Sequence, residues 1–210
     1  MTLITRSVLE KKYFLGERDF KEVNLRGLDL SGINLIRANL EGASLEGCNL
    51  QGAHLEEANL NHSNLSNTNL YKANLYKANL SYSKLIKANL KEAYLVKTIL
   101  NNTYFNGANL SGTDLSGAYL IKTIFTEVKV LKVILDNAWI IEVDFAEVDL
   151  KEIYCNQNTS FCSCTGMPDL SLNINQEPTD KLVSQENKKR LEKTESVDFF
   201  RSSCKIIYWF

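Results

Sequence analysis

Histidine is almost absent from this sequence, and so are the other motifs on which most catalytic and metal sites are built. His54 and His62 are the only two histidines among 210 residues, and they fall at different slots of the repeating pattern described below. There is no CxxC pair and no glycine-rich phosphate loop. Nucleophilic catalysis, metal binding and nucleotide binding therefore have little support. We expect a protein that is not an enzyme and has no cofactor and no metal site.

Long apolar runs are also missing, and the cysteines do not form a regular framework. No uninterrupted apolar stretch is long enough for a signal peptide or a membrane span. The five cysteines are odd in number and irregularly spaced: Cys48, Cys155, Cys162, Cys164 and Cys204. An extracellular disulfide scaffold is not expected from such a pattern. The formal charge is −1, and the sequence predicts a cytoplasmic protein.

What the sequence has in abundance is a period of five. Every fifth residue from Phe20 to Leu150 is Leu, Phe, Ile or Val, without a break. Neither a helix, with about 3.6 residues per turn, nor a strand, with a period of about two, has this spacing. A short fixed period indicates one small unit copied many times, in which each copy rests on its neighbours.

Each five-residue unit has distinct inward, outward and turn positions. The fifth-residue position, called the ladder position, and the position two before it are apolar or small, which predicts that both point inward. The position just before the ladder residue is usually Asn. Eight of the ten glycines lie two residues after a ladder residue, and this glycine slot indicates a positive φ, as in a type II turn. Corners with Lys, Glu or Asn in the slot are expected to use another turn type.

The runs ANLEGASLEGCNLQGAHLEEANL (38–60) and ANLYKANL (73–80) resemble the pentapeptide-repeat family, whose consensus is A-(D/N)-L-x-x. The resemblance implies an all-β fold, a right-handed quadrilateral β-helix with four pentads to each coil. The segment VLEKKYFLGERDF (8–20) is similar to the opening of many cyanobacterial members of the family. We therefore expect a pentapeptide-repeat solenoid of the cyanobacterial type.

Three regions are predicted. Residues 1–19 are expected to form a short N-terminal helical cap, in which Val8, Leu9, Tyr13 and Phe14 cover the first coil. Residues 20–155 are expected to form the pentapeptide-repeat β-helix. Residues 156–210 are predicted to be an irregular, partly disordered C-terminal tail, polar at first and apolar at its end. The apolar residues of that end are Phe199, Phe200, Ile206, Ile207, Tyr208, Trp209 and Phe210.

With four pentads to a coil, residues twenty apart should stack. One inward column contains Ser63, Ser83, Thr103 and Thr123, whose hydroxyls are expected to hydrogen-bond along the axis. Large apolar residues also stack on the outside, which is typical of an interface. This candidate interface consists of Ile99, Tyr119, Ile121, Trp139, Ile141, Tyr104 and Ile124. We expect the C-terminal tail or a second copy, as a homodimer, to cover it; alternatively, these residues simply widen the last coils.

A second surface feature is a run of lysines interleaved with tyrosines. This candidate basic belt consists of Lys72, Lys77, Lys84, Lys87, Lys91 and Lys97. It could meet nucleic acid or an acidic partner, although a solvated charged surface is the simpler interpretation.

The most consistent function is a non-enzymatic protein–protein interaction or scaffold module with an unknown protein partner. The family resemblance implies an alternative, a DNA-mimicking gyrase-binding protein. That activity requires a strongly acidic rod, whereas residues 21–155 contain 13 Lys and Arg against 15 Asp and Glu. The near-neutral repeats therefore do not favour it.

Overall fold

The computed structural model describes residues 4–148 and 153–166, together with the backbone of Asn173–Ile174. An α-helix, α1 (Arg6–Phe14), precedes a chain that winds in regular coils. Parallel bridges join positions twenty residues apart, for example Asn39 with Asn59 and Asn64 with Lys84. Each coil thus contains four pentads, and the repeats form a four-sided β-helix. Leu150, Cys204 and most of the predicted tail lie outside the described residues.

The core is the interior of the coils. Ladder residues such as Leu50, Leu75 and Leu100 are fully buried, and the small residues two positions before them are buried as well. In the later coils the ladder changes to phenylalanine: Phe105, Phe125 and Phe145 stack with ring centroids 5.6 and 5.9 Å apart. Since each buried Leu or Phe contributes about 1.5–3 kcal/mol, the ladder is the principal source of stability.

All corners from Glu22 to Glu142 have a left-handed residue at the same place. The glycine slot has a positive φ whether it holds Gly52 (63°), Lys72 (55°) or Glu92 (57°). A positive φ is therefore not confined to the glycine corners, although the non-glycine slots lie at 53–59° and the glycine slots at 63–72°. The slot N–H of Gly52 donates to the carbonyl of Tyr71 at 2.8 Å, and that of Lys72 to the carbonyl of Lys91 at 3.1 Å. Because stacked corners bond to one another in this way, a left-handed φ at one corner favours a left-handed φ at the next, and a different turn type at the non-glycine corners stays a prediction.

Asparagine before the ladder residue has two hydrogen-bonding roles. Its side-chain oxygen accepts the N–H of the residue two positions later, as Asn69 Oδ1 does from Tyr71 at 3.3 Å. Its amide nitrogen also donates to the preceding coil, as Asn89 Nδ2 does to Asn69 Oδ1 at 3.0 Å. On this side of the rod the side chains of Asp29, Asn49, Asn69 and Asn89 are joined in one continuous chain, called the amide column.

Charged side chains also pair from coil to coil. Five ion pairs join residues twenty positions apart: Lys21–Glu41, Arg26–Glu46, Arg37–Glu57, Lys72–Glu92 and Lys122–Glu142. Such exposed pairs contribute at most about 1 kcal/mol each. They nevertheless account for many of the charges on the rod.

The buried hydroxyls bond to backbone carbonyls in two ways. Thr103 Oγ1 donates to the carbonyl of Leu80 in the preceding coil at 2.8 Å, and Thr123 does the same to Leu100 at 2.9 Å. Ser63 Oγ instead donates to Leu60 within its own coil at 2.6 Å. In this column, hydrogen bonding along the axis therefore occurs at Thr103 and Thr123 but not at Ser63 or Ser83. In another column, Thr98 Oγ1 donates within its own coil, to the carbonyl of Leu95 at 2.7 Å.

The later coils contain regular strands. On one side β1 (Tyr119–Ile121), β3 (Trp139–Ile141) and β5 (Ser160–Cys162) form a parallel sheet. On another side β2 (Val133–Ile134), β4 (Ile153–Cys155) and β6 (Asn173–Ile174) do the same. Trp139 pairs with Ser160, so this coil has one additional residue. The stack therefore continues past residue 155, where the sequence predicts an irregular tail.

Helix α1 lies against the first coil. Thr5 is its N-cap, and Leu9 is completely buried. The hydroxyl of Tyr13 donates a hydrogen bond to the carbonyl of Ile36 at 3.0 Å, and Arg18 lies 3.7 Å above the Tyr13 ring. Phe14 is 89% exposed and Val8 43% exposed. The prediction that these two residues cover the coil is wrong, because Leu9 and Tyr13 share the packed face of the helix.

Candidate protein-interaction face

The four sides of the rod are named by one outward residue each. Followed around one coil in the direction of the chain, they are the Trp139 face, the Ile124 face, the Leu131 face and the Asp114 face. The Trp139 face is therefore opposite the Leu131 face. Its neighbours around the corners are the Ile124 face and the Asp114 face.

Strands β1, β3 and β5 build the Trp139 face. Two outward columns run across them, one through Tyr119, Trp139 and Ser160 and the other through Ile121, Ile141 and Cys162. The bridge from Ile99 to Tyr119 extends the first column by one coil. The side chains between the two columns, Leu120 and Ile140, point into the core and are buried. Aromatic and β-branched residues favour extended backbone, which explains why single bridges widen into strands here.

The same face has a different character in the earlier coils. Its first column there reads Asp19, Asn39, Asn59 and Asn79. Asn59 Nδ2 donates to Asn39 Oδ1 at 3.1 Å, and Asn39 Nδ2 donates to Asp19 Oδ1 at 3.2 Å. From Ile99 onward these amide contacts are replaced by apolar side chains. The face is therefore polar in its first half and apolar in its second.

The apolar half is partly open to solvent. Ile99 is 36% exposed, and Tyr119, Ile121, Trp139 and Ile141 are each half-buried. Around the next corner, Tyr104 and Ile124 form a column on the Ile124 face and are 39% and 36% exposed. The two groups are separated by a corner that carries the Lys122–Glu142 ion pair at 3.3 Å. Together they form one apolar surface wrapped around that corner, called the apolar patch.

The end of the patch nearest the C-terminal coils is acidic. Residues 133–148 contain Asp136, Glu142, Asp144 and Glu147 and no Lys or Arg. Burial raises the pKa of Asp136, and the nearby charge of Asp114 raises it further. Asp144 accepts a hydrogen bond from the hydroxyl of Thr165 at 2.8 Å. The electrostatic environment of this end therefore favours a cationic neighbour.

The basic belt does not lie on one face. Lys84 is on the Ile124 face and Lys91 on the Leu131 face, while Lys72, Lys77, Lys87 and Lys97 lie at three different corners. Lys72 and Lys91 both approach Glu92, at 3.5 and 3.6 Å. Lys77 lies 5.2 Å above the ring of Tyr76. The lysines encircle the rod, so no surface concentrates them as nucleic-acid binding requires.

The remaining candidate chemical groups are separated or buried. His54 is on the Asp114 face, whereas His62 lies at a corner and stacks on Tyr82 with ring centroids 4.9 Å apart. Cys48 is 1% exposed and donates to the carbonyl of Leu25. Burial raises the pKa of the Cys155 thiol to about 11. Within the described residues, no group of His, Cys, Asp and Glu side chains could hold a metal ion, and no helix is long and apolar enough to cross a membrane.

Several exposed apolar residues lie outside the sequence-based candidate interface, among them Tyr82, which is 50% exposed. Phe14 and Leu15, at the end of α1, are 89% and 73% exposed, and Leu131 is 47% exposed. Leu131 is one residue after a ladder position, as Ile121 and Ile141 are, so the twenty-residue arithmetic could have found it. It lies opposite the Trp139 face and has no apolar residue above it in its column, where Ser111 stands one coil earlier.

Coils of four pentads, corners with a left-handed residue and frequent asparagine before the inward leucine define a solenoid built from five-residue repeats. The family model for a pentapeptide repeat region matches residues 18–95, and that for pentapeptide repeats in eight copies matches residues 88–127. Together the matches span residues 18–127, more than half of the chain. The chain belongs to the pentapeptide repeat family.

Solved structures of pentapeptide repeat proteins resemble it. HetL, from the cyanobacterium Nostoc sp. strain PCC 7120 and involved in heterocyst differentiation regulation, is 21% identical over 78% of this chain and 93% of its own, with a TM-score of 0.23. Full-length QnrB1, a plasmid-mediated fluoroquinolone resistance protein, is 14% identical over 83% of this chain and 100% of its own, with a TM-score of 0.46. No curated protein matches the chain. The identities and TM-scores are low, and nothing about function follows from them.

Proposed function

We propose that this protein is a non-enzymatic docking module and that its apolar patch binds another protein. The observation that carries the proposal is the composition of β1 and β3. Tyr119-Leu120-Ile121 and Trp139-Ile140-Ile141 are apolar on both sides of the sheet. In parallel sheets, continuous apolar strands are typical of strands covered on both faces. The inner face is covered by the core, so the outer face requires a partner.

The residue types in the patch suit a protein interface. Trp and Tyr are the residues that most often dominate binding energy at such interfaces, particularly when they lie centrally and are ringed by polar groups. Trp139 and Tyr119 are central here, with Asn79 and Asn101 at one end and Glu142 and Asp144 at the other. Stacking in consecutive coils also makes the patch continuous, which single exposed apolar residues are not.

The absence of catalysis is part of the same proposal. The two histidines are on different parts of the rod, and many of the described carboxylates form ion pairs with Lys or Arg, such as Arg37–Glu57. The alternative, a DNA-mimicking protein, is not favoured, since the repeats are nearly neutral and their lysines encircle the middle of the rod.

Several finer features belong to the proposal. We infer that α1 acts as the cap of the first coil, supported by the burial of Leu9 and the Tyr13–Ile36 hydrogen bond. The right-handed path, the region boundaries at residues 19 and 155 and a cyanobacterial type rest on the resemblance described above. A cytoplasmic location is supported by the absence of any disulfide among the described cysteines.

The proposal is tested by capture experiments with matched surface variants. The immobilised wild type, the double variant I121S/I141S and the control L131S are compared, since all three substituted positions follow a ladder residue. We expect the wild type and L131S to capture the same protein. When that protein is purified, I121S/I141S should bind it at least tenfold more weakly than the other two do. Far-UV circular dichroism verifies that all three proteins are folded. Equal binding by I121S/I141S would remove the patch from the docking site.

A further inference from the structure

We propose that residues 197–210 of this same chain occupy the apolar patch, so that the docking face is covered until a partner displaces them. This inference rests on the proposed docking function and identifies its regulation. Residues 197–210 contain eight apolar residues among fourteen, five of them aromatic, and they follow a polar stretch of the sequence. Such a segment gains free energy by burial, at about 25 cal/mol per Å² of apolar surface.

The path of the described chain brings the segment to the patch. Ile174 pairs with Cys155 on the Asp114 face. In every described coil, the residues after that position turn the corner onto the Trp139 face, as Ser160 does five residues after Cys155. The described chain therefore ends one side away from the patch, at the level of the last coils.

The intervening length is sufficient. Residues 175–196 supply twenty-two residues, and a chain of that length reaches at most roughly 73 Å. The Ile99 level is four coils above the level of Ile174 on the pairing registers, which corresponds to about 19 Å at the usual strand spacing. The segment can therefore reach every residue of the patch without displacing a coil.

The charges are complementary. The segment carries Arg201 and Lys205 against Asp198, a side-chain charge of +1 from two cations and one anion. The neighbouring end of the rod, residues 133–148, has four acidic residues and no basic one; Glu142 pairs with Lys122 of the preceding coil, which leaves Asp136, Asp144 and Glu147 to attract the two cations. Opposite charges around an apolar contact fix its orientation and register.

Trp139 provides a direct test, because Trp139 and Trp209 are the only tryptophans in the chain. In the full chain carrying W209F, and in residues 1–196, Trp139 is the only tryptophan. We expect iodide to quench the fluorescence of Trp139 at least threefold less efficiently in full-length W209F than in 1–196. This difference should be the same at all protein concentrations, and full-length W209F should have a monomeric mass by light scattering. The synthetic peptide 197–210 with W209F, added to 1–196, should restore the protection.

Two further variants make the test specific. I206N/I207N in the W209F chain should expose Trp139 to the extent seen in 1–196, whereas L131S, on the opposite face, should leave the protection unchanged. Equal quenching of Trp139 in full-length W209F and in 1–196 would overturn the proposal. If both proteins were dimers in which Trp139 is equally protected, the proposal would also be wrong, because a second copy would then cover the patch. Capture of the partner by 1–196 but not by I121S/I141S would leave the docking function intact in either case.

Discussion

Replacing Asn69 by Ala tests whether the amide column holds adjacent coils together. Asn69 Nδ2 donates to Asn49 Oδ1 at 3.0 Å, and Asn69 Oδ1 accepts from Asn89 Nδ2 at 3.0 Å and from the Tyr71 N–H at 3.3 Å. The variant N69A loses all three bonds. The matched control is N109A, two coils further along the same column, where the Asn109 side chain accepts the Ser111 N–H at 3.1 Å.

The expected magnitude follows from the difference in lost hydrogen bonds. A neutral hydrogen bond contributes about 0.5–1.5 kcal/mol net, so the two additional bonds of Asn69 should make N69A about 1–3 kcal/mol less stable than N109A. Both side chains are half-buried and both variants lose the same atoms, so the difference isolates the contacts between coils. The variant N69D keeps the two accepted bonds and should be intermediate.

Chemical unfolding followed by far-UV circular dichroism measures the three free energies of unfolding, and thermal unfolding provides a second measurement. At this chain length 1 kcal/mol corresponds to a change of about 2–4 °C in Tm. A difference of about 2 kcal/mol between N69A and N109A should therefore appear as roughly 4–8 °C. If the two variants unfold at the same denaturant concentration and temperature, the amide column contributes nothing beyond the local turn.

Three other predictions concern the phenylalanine stack in the core, the buried carboxyl of Asp114 and the buried thiol of Cys155. F125A removes the middle ring of the phenylalanine stack and should cost about 3–5 kcal/mol of unfolding free energy. At pH 7, D114N should have a larger free energy of unfolding than wild type, measured with denaturant, because burial raises the pKa of Asp114. Since wild-type stability rises as the pH falls through that pKa, the advantage of D114N should vanish in acid. With a pKa of about 11, Cys155 should be alkylated by iodoacetamide about 100-fold more slowly than in the unfolded chain, measured by peptide mass spectrometry.

The inward and outward assignment of the repeats could be predicted from the sequence because it depends on one number, the twenty-residue coil. The same arithmetic places Ile99, Tyr119 and Trp139 in one column, as the bridges do. The role of that column as an interface stays a prediction. The positive φ at Lys72 and Glu92 was not predictable from residue preference, since glycine is favoured there locally but stacking imposes the conformation on any residue.

Other features depend on contacts that have no period. The exposure of Phe14 follows from how α1 rotates to bury Leu9 and to place Tyr13 against Ile36. The additional residue between Cys155 and Phe161 interrupts the sequence period but not the stack, because the strands re-pair one residue out of step. The five-residue period therefore ends where the spacing changes, although the backbone pairing continues to Asn173–Ile174.

The two halves of the rod are stabilised differently, and this difference links stability to binding. In the earlier coils the outer surface is satisfied within the chain, through amide contacts such as Asn59–Asn39 and ion pairs such as Arg37–Glu57. In the later coils Tyr119 and Trp139 replace the amides, and the outer surface has no comparable polar contacts among the described residues of that column. Whatever covers those side chains adds its burial free energy to the last coils alone. A bound partner or segment should therefore protect the backbone amides of β1 and β3 from hydrogen exchange far more than those of the early coils.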